Sequence, residues 1–298
     1  MFVLVSIVWP LFLFFYFKMT STHDQLFSND PKRPYVYHGA SFPQRSVPHA
    51  AIRGAALAVG AEMYLKGIVG HANIDFVSFY DDYNQRQRLW AVDLNIGMSR
   101  SQVVFTLTDF LLRGKVETAS GEYMVKPMAV EDLPSALLSG DSSSAASSIA
   151  SDSNASTTTD EAHLSSLVPA ETRSYVALDC IYHPNLGAMQ YGAFFNLCRL
   201  HGVSFDLQQR TGTAFMLTDS LVAGMLGLIG VGEETEDAFK MVHKSIKFIE
   251  SQVGSGSTPS EFDSEKSNFS EIANMIKEKV EQYNPQQRGG HGGGHDKR

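Results

Sequence analysis

Asp75, Asp93 and Asn95 are the residues whose types and spacing most directly suggest chemistry. Asp75 lies in the run Gly70-His71-Ala72-Asn73-Ile74-Asp75-Phe76-Val77-Ser78-Phe79. Asp93 and Asn95 lie in Leu89-Trp90-Ala91-Val92-Asp93-Leu94-Asn95-Ile96, after an intervening polar turn. Each run reads as a strand. Side chains alternate faces along a strand, so Asp93 and Asn95 point the same way. A hairpin closing symmetrically about Asn84 sets Asp75 directly across from Asp93. Two carboxylates and an amide oxygen on one face make a hard-oxygen site. Such a site suits Mg²⁺ carrying nucleotide phosphates, because Mg²⁺ takes one or two carboxylates together with waters and phosphate oxygens. A half-solvated antiparallel strand also alternates polar with apolar residues, and the spacing alone leaves that alternative open. Two features favour a cation: Asp and Asn are poor strand formers, and opposed carboxylates repel.

The elements around this hairpin read as follows. Ser46 to Gly67 is a helix with Ser46 as N-cap, Pro48 in its first turn, and Gly67 or Gly70 at its end. Gln102 to Leu112 is a second helix, capped by Ser101, with Val103, Phe105, Leu107, Phe110 and Leu111 as its apolar face. Arg100 stands in the turn before it. Its guanidinium forks readily onto a phosphate or a substrate carboxylate, and a solvated turn arginine is the simpler reading. His23-Asp24 has the form of a general base held by a carboxylate, or of a packed polar pair.

Farther along, Tyr175–Ile181 reads as a strand and Leu186–His201 as a helix. Val203–Gln208 and Thr213–Leu217 read as short strands joined by Arg210-Thr211-Gly212. Glu234 to Ile249 is an amphipathic helix with Ala238, Val242, Ile246 and Ile249 at helical spacing. A last helix carries Phe269, Ile272, Met275, Ile276 and Val280, and core packing is its better use.

The hairpin also carries a resemblance. Gly70-x4-Asp75-Phe76-Val77, a turn, then Trp90-Ala91-Val92-Asp93-Leu94-Asn95 resembles the metal-binding hairpin of ATP-grasp proteins. Ser21-Thr22-His23-Asp24-Gln25 followed by Gly39-Ala40-Ser41-Phe42-Pro43 is similar to ATP-grasp proteins of the pheganomycin-type peptide ligases, and to the ATP-grasp region of IQ-motif-containing protein H. Tyr175-Val176-Ala177-Leu178-Asp179, His201 to Asp206, Gly212 to Leu217 and Gly227 to Gly232 resemble the C-terminal part of the same proteins. The resemblance spans roughly residues 20–130 and 172–250.

It implies Mg²⁺ and ATP as cofactors, with Asp75, Asp93 and Asn95 as metal and nucleotide-phosphate ligands. Asp93 stands where Glu is commoner, one methylene shorter. Arg100 is then the candidate catalytic residue, steadying an acyl phosphate. The implied activity is ATP-dependent carboxylate–amine ligation, with a nucleotide and an unidentified carboxylate as partners. The front half of such a fold, with its phosphate-binding lysines, is not recognised in the chain. It therefore reads as a C-terminal half, incomplete or inactive in isolation. The alternative is a non-catalytic binding or scaffold protein that keeps the fold. Ile52-Arg53-Gly54 is only a scrap of an IQ motif, so calmodulin binding is not implied.

The resulting fold class is mixed α+β and α/β. It is a partial ATP-grasp-like fold, an antiparallel metal-site hairpin with helices, plus a smaller C-terminal α/β subdomain. The divisions are 1–18, a hydrophobic N-terminal segment; 19–135, the C-terminal half of an ATP-grasp-like domain; 136–170, a disordered Ser-rich insertion; 171–252, the α/β subdomain; and 253–298, a linker, an amphipathic helix and a Gly/His tail.

Within 298 residues and a formal net charge of -8 there is no basic, aromatic-interleaved face, which argues against nucleic acid as a partner. The two cysteines, Cys180 and Cys198, do not make a disulfide framework and favour a reducing compartment. Phe2 to Phe17 is nearly continuous apolar sequence broken by Pro10. A membrane span takes about 20 such residues. Three readings stand: a short membrane anchor over residues 2–17, an upstream extension with initiation at Met19, and a signal sequence. The expected location is cytoplasmic, or membrane-associated with a cytosolic body.

Overall fold

The computed structural model describes residues 2–8, 18–126, 170–216, 221–254 and 267–283. Residues 136–169 of the Ser-rich insertion, and the Gly/His tail, lie outside these residues.

One antiparallel sheet organises the chain. Its strands are β1 (Phe2–Val8), β2 (Lys18–Phe27), β3 (Tyr37–Phe42), β4 (His71–Asp81), β5 (Arg86–Ile96), β6 (Lys115–Val116), β7 (Tyr123–Val125), β8 (Glu171–Tyr182), β9 (Phe205–Asp206), β10 (Thr211–Met216) and β11 (Met225–Gly232). The order across the sheet is β5-β4-β1-β2-β3-β8-β11-β10-β9, with the small β6–β7 hairpin attached to the start of β8. The helices are α1 (His49–Leu65), α2 (Arg100–Leu112), α3 (Tyr191–Leu200), α4 (Thr235–Gly254) and α5 (Phe269–Tyr283). The fold is mixed α and β. The block from residue 171 onward continues the same sheet, because β8 pairs with β3 from Gly39↔Leu178 to Phe42↔Tyr175.

The N-terminal apolar segment is corrected. Phe2–Val8 is a strand hydrogen-bonded on both sides, to β2 and to β4. A continuous run of Phe, Val, Leu and Ile suits an interior strand as well as a membrane helix, and length separates the two. Residues 9–17 lie outside the described residues. Among the described residues, no helix is long and apolar enough to cross a membrane.

Helices cover both faces of the sheet. Val176, Leu178 and Leu228 face α4 and α5, against Phe239, Val242, Ile246, Phe269, Ile272 and Ile276. The alternate residues Tyr175, Ala177, Ile229 and Val231 lie on the other face, under Val104 and Phe105 of α2. Ile74 and Phe76 pack on Ile52 and Ala56 of α1, so Asp75 points away from α1.

Two local expectations are revised. Ser46 does not cap α1; its hydroxyl donates to Asp24 Oδ1, and Pro48 occupies the cap position without a side-chain bond. α2 starts earlier than Ser101 would set it: Ser99 Oγ accepts from Gln102 N at 3.2 Å. Its inward side chains are Ser101, Gln102, Val104, Phe105, Thr108 and Leu112, whereas Val103, Leu107 and Phe110 face outward. The polar Gln102 goes inward because its Oε1 accepts from Thr20 Oγ1 of β2 at 2.9 Å.

Candidate functional site

The β4–β5 hairpin carries the carboxylate pair. Its register places Asp75 opposite Asp93 and Asn73 opposite Asn95. Near the tip the pairing shifts by one residue, with Phe76 opposite Ala91, so Val92 forms a bulge. Bulges re-aim side chains. Here the extra residue lets a tip with Asp81 opposite Arg86 coexist with an acidic pair in register.

Asp93 is held from two sides. Leu94 N donates to its Oδ1 at 2.9 Å, and Asn95 Nδ2 donates to its Oδ2 at 2.9 Å. Asn95 therefore turns its amide nitrogen to Asp93 and keeps its oxygen as the remaining acceptor. Asp75 accepts from Gln25 Nε2 of β2 at 3.2 Å. Burial first, and then the charge of Asp93, push the Asp75 carboxyl above its ordinary range; the Gln25 bond opposes them. Asp75, Asp93 and Asn95 thus share one face and one neighbourhood. Among the described residues, no group of three or more His, Cys, Asp or Glu is arranged to hold a metal. Two carboxylates completed by amide and water oxygens fit Mg²⁺ rather than a transition metal.

The same face continues toward α2. β1 lies between β2 and β4 with Leu4 opposite both His23 and Asp75, which puts those two side chains on one side of the sheet. Arg100 Nη1 lies 3.7 Å from Asp179 Oδ2 of β8. The Tyr37 hydroxyl is buried among these groups. Burial and the charges of Asp179 and Asp75 push its pKa up, while the hydrogen bond with Ser101 and the charge of Arg100 act the other way. Tyr37 thus lies within electrostatic reach of Asp75 and of the Arg100–Asp179 pair.

His23 is not a poised base. It is fully buried, with Nε2 2.6 Å from the Tyr175 hydroxyl, and burial pulls its pKa down to about 3. Its neighbour Asp24 is occupied by Arg45 N at 2.7 Å and by Ser46. His183 Nδ1 accepts from Asn185 N at 3.1 Å and holds a turn. The buried Cys198 thiol is pushed up to about 11 and is unsuited to nucleophilic work.

Tyr37, Gln25 and Asp179 were not singled out by sequence reasoning. Asp179 had one signal: it is the lone carboxylate ending the apolar run Tyr175-Val176-Ala177-Leu178. Tyr37 and Gln25 had none, because their roles depend on strand order.

A family model described as IQCH-like, ATP-grasp matches residues 7–119. IQ motif-containing protein H from Danio rerio is 24% identical over 240 residues, covering 80% of this chain and 19% of that protein. The chain thus spans about a fifth of that relative's length. Among solved structures, the biotin carboxylase subunit of pyruvate carboxylase aligns with a TM-score of 0.47 at 8% identity, covering 95% of this chain and 50% of the other. N5-carboxyaminoimidazole synthase from Aspergillus clavatus aligns with a TM-score of 0.40 at 11% identity, covering 84% and 51%. These two likenesses concern the fold alone.

Proposed function

Starting from an ATP-grasp-like domain that resembles the one in IQ motif-containing protein H, we propose that the β4–β5 hairpin binds Mg²⁺ and, through it, the phosphates of ATP. Asp75 and Asp93 would hold the cation with their carboxylates and Asn95 with its amide oxygen. The observation that carries this reading is the direct pairing of Asp75 with Asp93, with Asp75 disfavoured as a bare anion. A divalent cation relieves that repulsion. When bound, it neutralises charge on a transferring phosphoryl group.

Arg100 is proposed to contact a phosphate or the carboxylate of the substrate, in a domain related to ATP-dependent carboxylate–amine ligases. It stands at the first turn of α2, where backbone N–H groups and the helix dipole also favour an anion. Asp179 would hold Arg100 in place before the anion arrives. A non-catalytic, nucleotide-responsive binding role is the second reading. It is favoured by that same pairing, since Arg100 already has a carboxylate partner.

The test is calorimetric titration of the full chain with MgCl₂, with ATP plus EDTA, and with Mg²⁺-ATP. Magnesium-dependent ATP binding is the expected result, weakened about tenfold or more in Asp93→Asn. ATP binding that ignores magnesium, or equal binding by Asp93→Asn, would overturn the metal assignment. Binding without ATP turnover would select the second reading.

A further inference from the structure

β5 is the outer strand of the sheet, and among the described residues nothing pairs with its outer edge. It is 11 residues long, and every residue except Leu89 is exposed. Trp90, Val92, Leu94 and Ile96 all leave large apolar side chains in water. A long, exposed, apolar edge strand is a template for another strand. The backbone is set for that use. Gly97 N donates to His71 O at 2.7 Å. Hydrogen-bonded and non-bonded pairs alternate along an antiparallel ladder. Asn95 and Asp93 therefore turn their backbone groups toward β4, while Ile96 and Leu94 turn theirs outward. Leu94 N, so directed, reaches the Asp93 carboxylate rather than a strand.

The side chains select the strand that fits. Phe79, Val77, Asp75 and Asn73 share one face of β4, and opposite them stand Arg88, Trp90, Asp93 and Asn95. The bulge at Val92 brings Arg88 and Asp93 to this common face, since an odd separation in a regular strand would oppose them. Measured along β4, Arg88 and Asp93 flank Trp90 at equal distance, and so do Arg86 and Asn95 farther out. Consider a second β5 laid antiparallel along the edge, with a twofold axis at Trp90. Each Arg88 then faces the Asp93 of the other copy, Trp90 meets Trp90, and Arg86 meets Asn95. Opposite charges and aromatic pairs are favourable cross-strand combinations. An axis at Asp93 would oppose the two carboxylates instead. Arg88 Nε already donates to Asp81 Oδ2 at 3.1 Å, but the side chain is half exposed and its other N–H groups can serve a second carboxylate.

We propose that β5 is a homodimer interface. Two copies of this chain join edge to edge through antiparallel β5 strands about the axis at Trp90, and one sheet continues through both. The order of cation, aromatic ring and anion matches itself, as a twofold interface requires, and this favours a second copy over an unrelated strand. The inference does not rest on the metal reading, although Asp93 belongs to both surfaces.

The experiment is sedimentation velocity of the full chain in EDTA at low salt, from about 1 to 200 μM. EDTA keeps its outcome apart from that of the metal assignment. A monomer–dimer equilibrium is expected. Arg88→Glu and Asp93→Arg should each weaken it about tenfold or more, because each sets like charges face to face twice. Mixed in equal amounts, these two variants should form a heterodimer about as tightly as the parent chain pairs with itself, since both ion pairs return. Leu94→Pro should stay monomeric, because proline removes an outward N–H and spares the ladder with β4. A parent chain that remains monomeric throughout, even one that takes up an unrelated strand peptide, would overturn the proposal. So would a dimer that survives both charge reversals, or single variants that fail to rescue each other.

Discussion

Replacing Asp75 with asparagine should stabilise the metal-free protein, and the size and pH dependence of the gain follow from the hairpin. Asp75 and Asp93 lie directly opposite each other on adjacent strands. Burial, then the charge of Asp93, place the folded-state pKa of Asp75 above its unfolded value. The folded protein therefore holds this proton more tightly than the unfolded chain does. Stability falls as pH rises from the unfolded carboxylate range through the folded value of Asp75, and the loss is complete above it. Like charges directly opposite on a sheet cost about 0.2–1 kcal/mol, and a pair with one half-buried member belongs in the upper part of that range. The amide oxygen introduced by Asp75→Asn would still accept the Gln25 bond while the repulsion disappears. At pH 7 in EDTA, Asp75→Asn should gain about 0.5–1 kcal/mol. For a protein of this size that is a rise in Tm of about 1–4 °C. The gain should vanish below the unfolded carboxylate pKa, where Asp75 is protonated in both states. Magnesium should raise the Tm of the parent chain and leave that of the variant unmoved. Thermal melts from pH 3 to 8, with and without MgCl₂, read all of these effects. A lower Tm for the variant at neutral pH, or a gain that persists unchanged at pH 3, would refute the reasoning.

Gly39→Ala should be severe, because the new Cβ would lie 2.0 Å from the Ala177 carbonyl oxygen where β3 runs against β8. A loss of about 3 kcal/mol, the upper part of the overpacking range, is expected in urea unfolding. Glu271→Gln tests the seat of α5. Burial raises the Glu271 carboxyl, but the bonds to Ser28 and His38 and the charges of His38 and Arg33 outweigh it and hold the carboxyl below its ordinary range. Its contribution is fully present above the unfolded pKa and is lost as pH falls through the lower folded value. The variant should lose about 1–3 kcal/mol at pH 7 by denaturant titration, with the deficit fading in acid.

The acidic pair was legible because a hairpin is local: the register on the far side of the bulge from the tip is the one symmetric about Asn84, although the tip itself pairs Asp81 with Arg86. The bulge at Val92 was not, since nothing in Trp90-Ala91-Val92-Asp93 distinguishes a shifted pair from a regular one. α4 and α5 were readable from their spacing because each buries one apolar stripe. α2 was misread for a physical reason. Its polar residues Gln102 and Thr108 are satisfied inside, by Thr20 Oγ1 and by the Val104 carbonyl, while Phe110 is 70% exposed. Binary patterning has no means of seeing a hydrogen bond made 82 residues away. The segment Phe2–Val8 failed as an anchor because an interior strand and a membrane segment share one composition. The Tyr37–Asp179 neighbourhood arises only when β8 settles beside β3, a pairing of remote segments that no local pattern announces.

That interior position of β1 also shapes how the protein must be made. β1 is the first described segment to leave the ribosome, and β2 follows at once, but its other neighbour is β4. At about 5–20 residues per second, residue 81 is added about 4–15 s after residue 8. Throughout that interval a strand of sequence FVLVSIV presents one unpaired edge to its surroundings or to a chaperone. Synthesis rate over the stretch from β1 to β4 is therefore set against aggregation of the nascent chain.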